Sequence, residues 1–76
     1  MINKTQTQTE LKTRIMKLIC NADNKNQTFI MNNPTENVVY ESRRKAIHHL
    51  YDLFLFDNNI LIKDIKMVEY ILSVIC

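Results

Sequence analysis

Cys20, His48, His49 and Cys76 are the side chains in this chain best suited to holding a metal or forming a covalent bond. Zinc sites present paired ligands at short spacing, such as C-x-x-C or H-x-x-x-H. Neither pattern occurs. The adjacent histidines would lie about 100° apart on a helix and could not grip one ion together. His48 and Asp52 share a helix face at useful spacing, but two ligands do not build a structural site. Metal and cofactor binding are therefore not expected, and solvated surface histidines are the favoured reading.

Cysteine catalysis would need Cys20 beside a histidine and a group that stabilises developing charge. On a helical reading Cys20 falls on the polar side of the first helix, opposite Leu11, with its thiol exposed. There is no glycine in the chain, hence no phosphate-cradling loop. No serine motif and no paired carboxylates stand out. A thin core also has little material to shape a pocket. The expectation is a protein that is not an enzyme.

The remaining chemistry is charge. Arg43, Arg44 and Lys45, with His48 and His49, form one basic cluster, and Lys12, Arg14 and Lys17 form another. Residues 1–32 hold five basic against two acidic side chains, whereas residues 33–57 hold three against four, so the bias lies in the first helix. A formal net charge of +2 is too small to imply a nucleic-acid or membrane partner by itself. DNA binding through Lys12, Arg14, Lys17, Arg43, Arg44 and Lys45 remains the alternative function. It lacks a good recognition helix, because the last helix offers few polar side chains to read base edges. A ribbon-helix-helix arrangement using residues 28–31 as strand would need an unusually long first helix.

The elements that position these residues come from hydrophobic periodicity. Seventy-six residues make one domain near the lower size limit for independent folding. With 46% hydrophobic and 24% charged residues, the composition is that of a globular chain. Thr7 and Glu10 fit a capping box, and Leu11, Ile15, Leu18, Ile19 and Ala22 recur at helical spacing. These predict a first helix over about 8–22, after a frayed 1–6. Residues 23–32, DNKNQTFIMN, read as an asparagine-rich connection. Their Thr28–Met31 patch is either a loop plugging the core edge or a short strand, which could pair with a second copy.

Asn33, Pro34 and Glu36 mark the start of a central helix over about 34–56 as N-cap, first helical position and N3. Val39, Ala46, Ile47, Leu50, Leu53 and Phe54 share one side of it. Glu41, Arg44, Lys45, His48 and Asp52 share the other, with Glu41–Lys45 and His48–Asp52 as i,i+4 pairs. Arg43 projects into the apolar side, to snorkel past its neighbours or to meet a carboxylate from elsewhere. After a turn at Asp57–Asn59, a third helix runs over about 60–75, starting either after Asn59 or near Asp64. Leu61, Ile65, Val68, Leu72 and Ile75 form its seam.

These elements predict an all-α domain of three helices. Leu55, Phe56, Met67, Tyr70 and Val74 cannot all face one small core, and surplus apolar surface marks interfaces. The expectation is a homodimer formed through these five residues, unless the 23–32 segment covers them. Arg44, Lys45 and His48 would then be the contact for an acidic protein partner. The N-terminus shows no signal-peptide pattern and no segment is apolar enough to span a membrane, so a cytoplasmic protein with free thiols is expected. The size and composition fit a small regulator, adaptor or inhibitor of phage, plasmid or bacterial type.

Overall fold

The computed structural model describes residues 7–75, which form three helices: α1 (Gln8–Asn32), α2 (Asn37–Phe54) and α3 (Ile62–Ile75). No strand is present among the described residues. Residues 1–6, where the sequence predicts fraying, and Cys76 lie outside them. The chain is all-α, as the periodicity predicts.

α1 is the organising element, because it packs along both other helices while α2 and α3 barely touch each other. Its start is the expected capping box: Thr7 Oγ1 accepts from the Glu10 N–H at 3.2 Å, and the Glu10 carboxylate accepts from the Thr7 N–H at 3.1 Å. Two of the orphan N–H groups of the helix end are thereby satisfied. Leu11, Ile15, Ile19 and Ala22 are buried along its inner face. Leu18 is partly buried at the margin of that stripe.

The expected connection at 23–32 does not exist. α1 continues through it to Asn32, and the 28–31 segment is helical rather than extended. Asparagine favours turns, but its cost in a helix is only about 0.7 kcal/mol per residue. Packing outweighs it here: Asn26 is buried against α2, and Phe29 and Ile30 are half-buried one turn further on. Asn33 is therefore not the N-cap of α2. It ends α1, with its Nδ2 donating to the Phe29 carbonyl at 2.9 Å. Pro34 lies in the turn, and α2 begins at Asn37 with no side-chain cap at Glu36. The Glu36 N–H donates to the Asn33 carbonyl at 2.9 Å and closes this turn.

Ile47, Leu50 and Phe54 are the buried residues of α2, whereas Val39 and Leu53 remain exposed and Ala46 half-buried. α2 stops at Phe54, two residues before the expected end. Its terminus carries no basic residue of its own, and Lys12 of α1 supplies one by donating to the Leu55 carbonyl. A cation placed there satisfies an orphan carbonyl and complements the helix dipole.

Asp57 Oδ1 then accepts from the Asn59 N–H at 2.8 Å and holds the turn. Ile60 follows, fully buried in the core. Its backbone is clamped by the Gln8 side chain, which donates to the Ile60 carbonyl at 2.9 Å and accepts from the Ile60 N–H at 2.7 Å. This amide pair pins the start of α3 to the first turn of α1. Asp64 Oδ2 accepts from the Leu61 N–H at 2.9 Å and starts α3. Within the expected seam Ile65, Val68 and Leu72 are buried, Ile75 is half-buried and Leu61 is exposed.

Candidate functional site

Two surfaces stand out, one apolar on α3 and one charged on α2. At about 100° per residue, Met67, Tyr70 and Val74 fall within about 60° of one another and nearly opposite Ile65, Val68 and Leu72. α3 thus shows apolar side chains both inward and outward. Tyr70 is 70% exposed, Val74 67% and Met67 42%. At the end of α2, Phe56 is 84% exposed, and Leu55 is exposed beside it. The 23–32 segment, the alternative cover for these residues, is part of α1, and all five side chains meet solvent.

The basic face of α2 is equally open. Arg44, Lys45 and His48 are all exposed. Arg44 pairs with Glu41 at 3.6 Å across an i,i+3 step, in place of the expected Glu41–Lys45 pair. His48 makes no ion pair with Asp52 among the described residues. It rests edge-on against the Tyr51 ring, with centroids 5.8 Å apart and planes at 77°. The exposed Arg44–Glu41 pair contributes little to stability.

Arg43 meets no carboxylate among the described residues. Its guanidinium carbon lies 4.5 Å from the centre of the Phe29 ring, a cation–π contact that joins α2 to the far end of α1. Reading 23–32 as a connection leaves no reason to place Phe29 on the same helical track.

The cations proposed for DNA do not form one surface. Lys12 holds the end of α2, Arg43 covers Phe29, and Arg14 and Lys17 border a cleft with Ile65 and Glu69 of α3. Arg44 and Lys45 stand on the outer side of α2.

Cys20 is exposed and free, close to Tyr51. Burial pushes the Tyr51 phenol above its ordinary value, aided by its hydrogen bond with Cys20, the thiol's charge and the nearby Asp23 carboxylate. No group of three or more metal-ligating side chains occurs among the described residues. Among them, no helix is long and apolar enough to cross a membrane. Comparison with protein-family models, curated proteins and solved structures finds no match.

Proposed function

We propose that this chain is a small non-enzymatic regulator or adaptor that acts by binding protein, as a homodimer. The observation that carries the reading is the outward stripe of α3 with Phe56. A free aromatic side chain offers about 150–250 Å². At their exposures, Phe56, Met67, Tyr70 and Val74 present on the order of 500 Å² of apolar surface. Summed over the α3 stripe and the end of α2, that is well over half of the ~800 Å² each partner contributes to a standard interface. A two-fold axis lets one such patch cover its own copy.

The basic face of α2, with Arg44, Lys45 and His48, then serves an acidic protein partner. The Arg44→Glu/Lys45→Glu double variant is expected to abolish partner binding while leaving the circular dichroism spectrum and the dimer unchanged. Unaltered binding by that variant would remove the assignment. The alternative, DNA binding, requires salt-sensitive association with a mixed-sequence duplex. The separation of Lys12, Arg43 and the Arg14–Lys17 pair into three places weighs against it.

A further inference from the structure

The α1–α2 hairpin is longer than the helix that covers it. α3 ends at Ile75, and its last turns meet α1 at Ala22 and Lys25, which share a cleft with Leu72 and Ser73. α1 runs on from Lys25 to Asn32, about 10 Å further at 1.5 Å per residue. α2 accompanies it over this distance, tied by the Asn26–Tyr40 bond and the Arg43–Phe29 stack. Over this distance no described residue of α3 accompanies them.

What lies there is a groove of about 400 Å³, lined by Val38, Val39, Ser42, Arg43, Ala46 and Ile75. Val39, Arg43 and Ala46 stand at i, i+4 and i+7, the spacing with which one helix receives another. Ile75 closes the end from which α3 arrives. Arg43 is the one charged group in the lining, and it is half-buried. No carboxylate among the described residues pairs with it. A guanidinium in contact with an aromatic ring keeps its N–H donors, and a carboxylate can accept two of them at once.

We propose that this groove receives an acidic amphipathic helix of a partner protein. That helix would lie end to end with α3, continue its track along the hairpin and set a carboxylate against Arg43. The inference rests on the reading that the chain binds an acidic protein, and it adds a second contact on the side of α2 opposite Arg44, Lys45 and His48. Charge argues against a second copy of α3 as occupant. Its outward stripe of Met67, Tyr70 and Val74 holds Lys63 within it and Lys66 at one edge, like charges to Arg43, while the half-buried Asp64 at the other edge is already engaged with the Leu61 N–H.

The test uses the full chain and two synthetic helical peptides of about fourteen residues. Both carry one leucine stripe on an alanine background; one has glutamates flanking the stripe, the other lysines. Backbone amide shifts are followed by NMR as peptide is added. The glutamate peptide is expected to shift Val38, Val39, Ser42, Ala46 and Ile75 and the Arg43 side-chain N–H. The lysine peptide should bind at least about ten-fold more weakly, and Arg43→Met should cost the glutamate peptide a similar factor. The two-peptide comparison stands even where Arg43→Met fails to fold.

Equal binding of both peptides, or no binding at millimolar concentration, overturns the proposal. Shifts confined to Arg44, Lys45 and His48 overturn the groove but keep the acidic-partner reading. Groove signals that move with protein concentration alone name a second copy as the occupant and also overturn it.

Discussion

Replacing Asn26 with leucine should make the protein more stable. Asn26 is 1% exposed, the one buried polar side chain among the described residues. Its Nδ2 donates to the Tyr40 carbonyl at 3.0 Å, while its Oδ1 has no partner. The lost hydrogen bond costs about 1 kcal/mol, and removing an unsatisfied buried acceptor returns about 1–3 kcal/mol. The Tyr40 carbonyl lies inside α2 and keeps its place in the helix ladder. Burying a leucine adds about 1.5–3 kcal/mol, against about 1–3 kcal/mol for forcing extra volume into a packed seam.

The net is a gain of about 1–2 kcal/mol. In urea, with a slope near 1 kcal/mol/M for so small a chain, the midpoint should rise by about 1–2 M at fixed protein concentration. Asn26→Asp is the opposing control, since it puts an acceptor or a charge against the Tyr40 carbonyl and should cost about 3 kcal/mol or more. A leucine variant no more stable than the parent would show that the Asn26 amide is not an unsatisfied buried group. The physical case for its presence is specificity, because a lone buried amide favours the one helix register in which it is bonded.

Gln8→Ala removes both bonds to Ile60, leaving a buried-chain N–H and carbonyl unpaired, and should cost about 2 kcal/mol; hydrogen exchange at Ile60 should rise far more than at Ile47, and equal protection would refute the clamp. Stability should also fall in alkali through Tyr51. Its phenol keeps its proton more tightly when folded than at the ordinary value of 10.0, so this contribution is complete below pH 10 and is lost as pH rises through the folded value. Tyr51→Phe should flatten that decline in a pH series of melting temperatures, and an unchanged slope would count against it.

The helices that were legible in the sequence are those where local chemistry and burial agree. Thr7 and Glu10 announce the start of α1, and the stripe of Leu11, Ile15, Ile19 and Ala22 faces the core as its spacing requires. Ile47, Leu50, Phe54, Ile65, Val68 and Leu72 follow the same rule. Residues 23–32 defeat a local reading because Asp23, Asn24 and Asn26 each carry a turn signal, while the packing that overrides it comes from α2, which no local window contains. The shifted start of α2 follows from this, since Asn33 is committed to ending α1. Gln8 and Ile60 lie too far apart in sequence for any periodicity to connect them, and the same holds for Lys12 with Leu55. The exposed surfaces were legible for a simpler reason: an apolar residue opposite a helix's own core face has no place inside one small bundle.

The homodimer is the central claim, and the mass in solution tests it most directly. Light scattering of the full chain under reducing conditions should give a mass near twice the 9.0 kDa of one chain, and Phe56→Asp should return it to the monomer without loss of helix. A parent chain that stays monomeric at high micromolar concentration, or a Phe56→Asp variant as dimeric as the parent, would contradict the account.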